Sequence, residues 1–351
     1  MLRIGVVGLA NVGKSTLFNA LTHAHALAAN YPFATIEPNT GVVAVPDERL
    51  KVLAEMYDTE KIVPATVSFT DIAGLIAGAS KGEGLGNKFL AHIRTCNIIC
   101  HVVRVFQDSN VAHIAENVNP KRDLETVEME LMLADIETLT KFLPKIQREA
   151  KSGEKEAVAK VAVVERVLAR LERGEVNDEN VEGLQLLSVK PTIVAFNLDE
   201  RELADEGLKR DLAELVVPRI SVFVNAKLES EMVNMSEGER KEFLESYGVS
   251  EDGLGQLVRE AYRTLGLQSF LTAGKKEVRA WTVCRGATAP EAAAVIHTDF
   301  QRGFVAATIC KYDDLARLGS ERAVREAGLM RTEGKDYVVQ EGDVIEFRTA
   351  L

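Results

Sequence analysis

One short segment near the N-terminus constrains the fold more than any other part of the sequence. Residues 8–15 have the pattern G-x-x-x-x-G-K-S, and they follow an apolar run at residues 2–7 that is typical of a buried parallel strand. Residues 15–27 then place apolar side chains at helical spacing. A glycine-rich turn between a strand and a helix is the context in which this motif binds nucleotide phosphates.

The residue types of this motif indicate their chemistry. Glycines let the backbone turn so that several N–H groups face the phosphates, and the helix N-terminus adds partial positive charge. We expect Lys14 to bridge the β- and γ-phosphates and Ser15 Oγ to ligate magnesium. The candidate nucleotide-binding residues of this segment are Asn11, Val12, Gly13, Lys14, Ser15 and Thr16.

A second motif, Asp71-Ile72-Ala73-Gly74, follows a further apolar run at residues 67–70. Asp71 is expected as the acid associated with magnesium, and the N–H group of Gly74 is expected to approach the γ-phosphate. Both are therefore candidate catalytic residues together with Lys14. Thr35 lies on a loop between the two motifs, and we expect its hydroxyl to bind magnesium when the γ-phosphate is present.

The segment that should recognise the base departs from the guanine-specific pattern N-K-x-D. It is Asn197-Leu198-Asp199-Glu200, so Leu198 replaces the lysine and Glu200 replaces the aspartate, while Asp199 is one residue early and would point elsewhere. Without the bidentate acceptor for guanine, much of the discrimination for that base is lost. We expect the Asn197 amide to pair with a purine edge and Leu198 to offer an apolar surface to the base. The sequence therefore predicts that ATP is preferred to GTP.

A glutamine often follows the D-x-x-G motif in Ras-like enzymes, where it orients the attacking water. Leu75 occupies that position here. A leucine cannot orient water by hydrogen bonding, so either the catalytic group comes from elsewhere or intrinsic hydrolysis is slow. The glycine-rich residues 78–86 that follow are expected to form a mobile switch loop.

The order of the predicted elements indicates an α/β fold. Strands are expected at residues 63–71, 98–106, 190–197 and 219–224, and their alternation with helices predicts a mostly parallel sheet with helices on both faces. A charged, helix-rich stretch interrupts this order as an inserted hairpin, with Pro144 in the first turn of its second helix. The predicted domains are 1–120 with 174–267 for the nucleotide, 121–173 for the hairpin, and 268–351 for a small α+β module.

Charge and composition limit the expected location and partners. The net charge is −11, and residues 174–267 supply nearly all of it with 20 acidic and 10 basic residues. Residues 141–173 instead carry nine basic and five acidic residues, which indicates either a solvated helical face or a surface for a polyanion. There is no membrane-spanning run, no signal peptide and no C-x-x-C among the four cysteines, so we expect a cytoplasmic protein without a membrane partner.

Several longer stretches resemble a known family. GLANVGKSTLFNAL, NYPFATIEPN, DIAGLIAGASKGEGLGNKFL and NLDE are similar to the Obg-like ATPase (YchF) family of TRAFAC P-loop proteins. Residues 270–307 resemble the C-terminal TGS module of that family, a ubiquitin-like β-grasp. The resemblance implies a nucleotide domain with an inserted helical hairpin and a TGS domain, ATP preference and association with ribosomes. Ala10 departs from it, because the family commonly has proline there.

The resemblance also implies roles for two residues that the chemistry alone leaves open. Asn11 is similar to the P-loop asparagine of relatives that potassium stimulates, so K⁺ is an expected second cation. His113 matches a family loop histidine proposed to assist hydrolysis in place of the missing glutamine. Without the resemblance, His113 would be interpreted as an ordinary loop histidine.

The combined prediction is a Mg²⁺-dependent ATPase that hydrolyses the β–γ bond, acts as a nucleotide-controlled switch on the ribosome or its RNA, and works as a monomer. Two alternatives stay open: a GTPase of the same architecture, and a nucleotide-gated binding protein with negligible turnover. The presence of Lys14, Ser15 and Asp71 argues against an inactive site, whereas Leu75 keeps the last alternative open.

Overall fold

The computed structural model describes residues 2–26, 39–72, 85–108, 117–151, 153–175, 178–249 and 252–350. The chain divides into two compact units. Of the described residues, the first unit contains 2–24, 39–41 and 68–257, and the second contains 25–26, 42–67 and 258–350. The predicted hairpin therefore groups with the nucleotide domain, whereas residues 42–67, which the sequence assigned to that domain, group with the C-terminal module.

The strands of the described chain are β1 (Arg3–Val7), β2 (Thr40–Ala44), β3 (Ile62–Val63), β4 (Thr66–Asp71), β5 (Ile98–Arg104), β6 (Thr192–Asn197), β7 (Ile220–Val224), β8 (Leu267–Ala273), β9 (Val278–Cys284), β10 (Phe304–Lys311), β11 (Arg331–Glu333) and β12 (Asp343–Thr349). The helices before β7 are α1 (Lys14–Ala26), α2 (Arg49–Tyr57), α3 (Leu85–Thr95), α4 (Pro120–Lys151), α5 (Lys155–Glu172), α6 (Glu200–Leu203) and α7 (Glu206–Glu214). Those after it are α8 (Ala226–Glu231), α9 (Glu237–Ser246), α10 (Gly253–Thr264), α11 (Ala289–Ile296), α12 (Thr298–Arg302), α13 (Tyr312–Leu318) and α14 (Glu321–Glu326), with a 3₁₀ turn at Met232–Asn234. None of the helices in the described ranges has the length and apolar composition that crossing a bilayer requires.

The first sheet is mostly parallel, as predicted. Its strand order is β2-β4-β1-β5-β6-β7, and β1 pairs in parallel with β4 and β5, as β5 does with β6 and β6 with β7. Every residue of β5 is buried, which agrees with its nearly continuous apolar sequence. Because these strands are parallel, their carboxyl ends lie at one edge of the sheet, where ligands bind in open α/β folds.

The helical hairpin consists of α4 and α5, which pack through a buried cluster of Leu139, Val164, Val167 and Leu171. The prediction that a second helix begins at Pro144 is wrong, because α4 continues through that residue to Lys151. Pro144 is exposed and its ring costs one backbone hydrogen bond, but the apolar stripe continues to the buried Ile146. Tertiary packing therefore outweighs the local preference of proline for a helix start.

The second sheet has the order β11-β10-β12-β8-β9-β3. β8 and β9 form an antiparallel hairpin, β12 runs parallel to β8, and α11 packs against the apolar face of the sheet. This arrangement confirms the predicted β-grasp module. The strand predicted at residues 63–71 is divided, because Pro64 has no N–H group to continue it, and the first piece, β3, pairs with β9.

Candidate functional site

The phosphate motif forms the turn between β1 and α1, as predicted. Two of its glycines are required by close approach: a Cβ atom on Gly8 would lie 2.4 Å from Val102 O, and one on Gly13 would lie 2.3 Å from Asn197 Nδ2. Gly13 also has φ +94°, a conformation that side chains rarely adopt. Asn11 is exposed in the turn with φ 62°, which asparagine tolerates better than most residues.

Lys14 begins α1 and lies against the turn. Its side chain is 7% exposed, and its Nζ donates a hydrogen bond to Leu9 O at 2.6 Å. Burial lowers the pKa of Lys14, while the nearby negative charge of Asp71 opposes that shift. The ammonium group is thus held at the phosphate loop by the Leu9 carbonyl and a neighbouring carboxylate, and an incoming triphosphate would supply a stronger anionic partner.

Ser15 and Asp71 meet although they lie on different elements, the start of α1 and the end of β4. Ser15 Oγ donates a hydrogen bond to Asp71 Oδ2 at 2.9 Å. The other carboxylate oxygen, Asp71 Oδ1, is buried and has no hydrogen-bond partner within the described part of the chain. Hydroxyl and carboxylate oxygens are the hard ligands that Mg²⁺ prefers, and a buried oxygen without a partner costs free energy. The residues therefore fit a magnesium ion at this point.

Asp71 has a further contact that the sequence did not reveal. Its backbone N–H donates to Asn39 O at 2.8 Å, and Asn39 has the left-handed φ of 65°. Asn39 is thus hydrogen-bonded directly to Asp71, the candidate magnesium ligand at the end of β4.

Asn197 ends β6 and connects three parts of the site. Its Nδ2 donates to Val12 O at 3.0 Å, and its Oδ1 accepts from Ala226 N at 3.0 Å. The residue is only 4% exposed, so these contacts leave one amide hydrogen for a ligand. Asn197 therefore joins the phosphate turn to the start of α8. Its amide oxygen and one amide hydrogen are bonded to backbone groups, which differs from the expected pairing of both with a purine edge.

Leu198 is almost fully buried. Its side chain is 1% exposed and belongs to the hydrophobic cluster around Phe196, Leu203 and Leu228, and the residue also lines the cavity described below, so its contact with a base stays a prediction. The apolar residue is fixed here by the protein core rather than by a ligand. A lysine at this position, as in guanine-specific sites, would place an ammonium group in that cluster.

The Asp199 carboxylate is bonded to the backbone that follows it. Its carboxylate accepts from the N–H groups of Arg201 and Glu202 at 2.9 and 2.8 Å, while the Glu202 side chain accepts from Asp199 N at 2.9 Å. This is a capping box, and it begins α6. The Asp199 carboxylate thus caps the N-terminus of α6.

A cavity of about 510 Å³ lies beside these residues, at the carboxyl edge of β5, β6 and β7. Thr16 is exposed at the phosphate end of its lining. The residues that line it are Gly13, Thr16, Phe106, Gln107, Asp108, Asn197, Leu198, Asp199, Glu200, Arg201, Asn225, Ala226 and Lys227. Sequence reasoning missed residues 106–108 and 225–227, although their positions just after two predicted parallel strands were the signal that could have found them.

Three predicted site residues, Thr35, Gly74 and His113, lie outside the described residues, as does Leu75. The structure brings the others together in one unit: the phosphate turn, Asp71, and the end of β6 with the cavity beside it. The arrangement provides a cationic, oxygen-rich end and a larger cavity next to it, which is the layout of a nucleotide site.

Comparisons with known proteins agree with this arrangement. A family model described as 50S ribosome-binding GTPase matches residues 3–135, and the YchF GTPase C-terminal model, described as a protein of unknown function, matches residues 267–350. The Ribosome-binding ATPase YchF of Haemophilus ducreyi is 48% identical, with 99% of this chain and 98% of that protein covered. The protein of the same name from Bacillus subtilis is 46% identical, with 99% of each covered. The structure of the Schizosaccharomyces pombe YchF GTPase superposes with a TM-score of 0.85 at 36% identity, with 99% of this chain and 97% of that chain covered.

Proposed function

Because this chain belongs to the YchF family, we propose that it is a magnesium-dependent ATPase that prefers ATP to GTP and acts as a nucleotide-controlled switch on the ribosome. One observation supports the proposal most: Ser15 Oγ and Asp71 Oδ2 are in contact beside the buried Lys14, and Asp71 Oδ1 has no partner among the described residues. A cation and a triphosphate would satisfy all three groups.

The roles of the phosphate-end residues follow from this geometry. Lys14 exchanges its bond to Leu9 O for the β- and γ-phosphate oxygens, and the N–H groups of the turn bind the same oxygens. Mg²⁺, when bound, neutralises charge on the phosphates, with Ser15 and Asp71 holding it and Thr35 as a further proposed ligand. Cleavage of the β–γ bond then depends on positioning and charge rather than on a protein nucleophile.

The proposed water-orienting group is His113, because Leu75 has no hydrogen-bonding group. Gly74 is proposed to donate its N–H to the γ-phosphate. Both residues follow described segments that end at the site, Asp71 with Ile72 and the residues up to Asp108. Replacing His113 with alanine should therefore lower kcat while leaving the affinity for ATP unchanged.

The preference for ATP over GTP is proposed to arise because the cavity lacks the acceptor that a guanine-specific site provides. Leu198 is buried in the core and Asp199 caps α6, so neither supplies the bidentate acceptor that guanine requires. Glu200 is exposed at the cavity and has one more methylene than the aspartate of guanine sites. The Asn197 hydrogen not bonded to Val12 remains a proposed donor to the purine edge.

Potassium stimulation is proposed through Asn11. This residue is exposed in the phosphate turn with the left-handed φ of 62°, so its carboxamide lies on the loop that faces the phosphates. A monovalent cation there would add positive charge where the transition state develops negative charge. Turnover should be higher in potassium than in sodium buffer, and the difference should disappear in Asn11→Ala.

The proposed ribosome contact includes the end of the helical hairpin. Lys145, Arg148, Lys151 and Lys155, here called the tip residues, flank the connection from α4 to α5 and are all exposed. None of the ion pairs found in the described ranges involves them, in contrast to the bases nearer the hairpin's other end, which form the pairs Arg166–Glu179, Arg170–Asp178 and Arg173–Glu175. Uncompensated exposed bases suit a partner rich in phosphates.

Charge reversal of the four tip residues tests this contact. Co-sedimentation with ribosomes should weaken strongly in the reversed protein and should weaken with added salt in the wild type. A matched control reverses Lys141, Arg166, Arg170 and Arg173, which changes the net charge equally but acts on bases that already have carboxylate partners. An equal loss of ribosome binding in both proteins would mean that the tip residues are not a specific ribosome contact.

The proposed function as a whole is tested by turnover with ATP and with GTP, with and without Mg²⁺ and ribosomes. The expected result is hydrolysis that requires Mg²⁺, is faster at limiting ATP than at limiting GTP, and changes when ribosomes are present. Faster use of GTP would favour the GTPase alternative, and absence of turnover under all conditions would favour a nucleotide-gated binding protein.

A further inference from the structure

A buried arginine, Arg104, lies close in sequence to residues that line the cavity, and its side chain contacts them. Arg104 is the last residue of β5, a strand that is buried along its whole length, and the residue itself is only 2% exposed. Burying a guanidinium group is costly unless its donors are satisfied and its charge is balanced. The contacts of Arg104 therefore indicate what the protein uses it for.

These contacts converge on residues 106–108, here called the 106–108 segment. Arg104 Nε donates to Phe106 O at 3.0 Å, and Nη2 donates to Asp108 O at 3.2 Å. The guanidinium carbon also lies 4.3 Å from the centre of the Phe106 ring, within the range of a cation–π contact. One side chain thus fixes two carbonyl groups and one aromatic ring of a segment that has no regular secondary structure.

The charge of Arg104 is balanced from two directions. Burial lowers the pKa of Arg104, and the nearby carboxylates of Asp108 and Asp123 oppose that shift. Asp123 lies in the first turn of α4 and is itself 3% exposed. The guanidinium is accordingly held in place as an ion while its forked N–H groups support the 106–108 segment.

The 106–108 segment matters because it lines the cavity together with the residues that follow β6. Phe106, Gln107 and Asp108 all belong to the lining. The side chain of Leu198 packs in the core and that of Asp199 caps a helix. Phe106 is the one aromatic residue among the described residues that line the cavity, so the 106–108 segment offers the flat surface against which a planar base can pack.

We propose that Arg104 is a positioning residue for the nucleobase: it holds the 106–108 segment in the shape against which the base packs, and so sets the affinity for the base without acting on the triphosphate. The inference rests on the proposed function only in requiring that a nucleotide occupies this cavity. Arg104 does not touch the ligand, and its effect passes through Phe106 and the two carbonyl groups.

The test separates base binding from phosphate binding. Competition experiments measure the dissociation constants of ATP, GTP and inorganic tripolyphosphate, each with Mg²⁺, for wild type, Arg104→Lys and Arg104→Gln. Lysine keeps the charge but cannot donate to both carbonyls in the same geometry, and glutamine keeps one donating amide. Arg94→Lys is the matched control, because Arg94 donates to Thr138 Oγ1 at 2.8 Å and does not line the cavity.

The proposal predicts that Arg104→Lys weakens the binding of ATP about tenfold or more and brings the dissociation constants of ATP and GTP closer together. The dissociation constant of tripolyphosphate should stay unchanged. KM for ATP should rise while kcat at saturation stays near the wild-type value. Arg94→Lys should match the wild type with all three ligands.

Equal weakening of ATP and tripolyphosphate by Arg104→Lys would overturn the proposal, because it would indicate a general structural role. Wild-type constants in that variant would overturn it too, as would failure of both Arg104 variants to fold. If the wild type binds GTP more tightly than ATP, the proposed ATP preference fails, yet the comparison of nucleotide with tripolyphosphate still decides the role of Arg104.

Discussion

The phosphate end and the base end of the candidate nucleotide site use their polar side chains in opposite ways. Within the described part of the chain, Lys14 at the phosphate end is hydrogen-bonded to a loop carbonyl alone, and Asp71 retains an oxygen with no partner. At the base end, Asn197 is bonded to two backbone groups and Asp199 caps a helix, while Leu198 is buried in the core. Polar groups are available to a ligand at one end and committed to the protein at the other.

This difference indicates how binding free energy is distributed. Unsatisfied or exchangeable polar groups give large, direct contacts with a triphosphate, whatever base it carries. Committed groups shape a surface and contribute through packing, which discriminates between bases by smaller amounts. We therefore expect substitutions at the phosphate end to be severe and independent of the base, and those at the base end to be milder or to act through stability.

Lys14→Ala should have the largest effect. Removing the ammonium group eliminates charge-assisted contacts with two phosphates, each worth ~1.5–3 kcal/mol. Affinity for ATP and GTP should fall together by about a hundredfold or more, which corresponds to ~3 kcal/mol. Titration with fluorescent analogues of both nucleotides measures this. Retained affinity and normal turnover would show that the phosphates bind elsewhere, and a loss of affinity confined to one nucleotide would mean that Lys14 also discriminates between the bases.

Asn197→Ala should have an intermediate effect that is mainly structural. The substitution leaves Val12 O and Ala226 N without their partner in a buried place, so unfolding free energy should fall by ~2–4 kcal/mol. Denaturant unfolding, followed by titration with ATP and GTP, measures both consequences. A fully stable variant that loses affinity for ATP alone would mean that Asn197 acts mainly by recognising the base and not by joining Val12 to Ala226.

Leu198→Met should have the smallest effect and tests whether the base end acts through packing. A buried leucine replaced by methionine of similar volume costs less than about 1.5 kcal/mol, and the ratio of ATP to GTP affinity should stay unchanged. Leu198→Lys in the same experiment should destabilise the protein strongly, since it places a charge in the hydrophobic cluster. A changed ratio of ATP to GTP affinity in a stable Leu198→Met protein would mean that Leu198 contacts the base.

Local rules predicted the phosphate end well. The glycines, Lys14 and Ser15 are contiguous, and their positions follow from one strand–turn–helix unit. Asp71 required only the additional expectation that neighbouring parallel strands end at the same edge, and β4 does pair with β1. Pattern and local geometry agree at this end, so the sequence contained nearly all the information.

The base end and the domain boundaries depended on contacts that the sequence pattern does not contain. Whether Leu198 faces a ligand or the core is decided by α6, α7 and α8 packing over β6. Arg104 lies within the strand predicted at residues 98–106, and the sequence pattern does not indicate its contacts with residues 106–108. Similarly, the pairing of β3 with a strand from the C-terminal module is a long-range choice that Pro64 permits but does not specify.

The central claim is that this cavity binds a magnesium nucleotide with preference for adenine. Direct competition between ATP and GTP for the wild-type protein, with a fluorescent nucleotide as the common reporter and Mg²⁺ present, tests it most directly. The account predicts a lower dissociation constant for ATP than for GTP, and loss of both when Mg²⁺ is chelated. Equal or tighter binding of GTP would contradict it, as would binding that does not respond to the removal of magnesium.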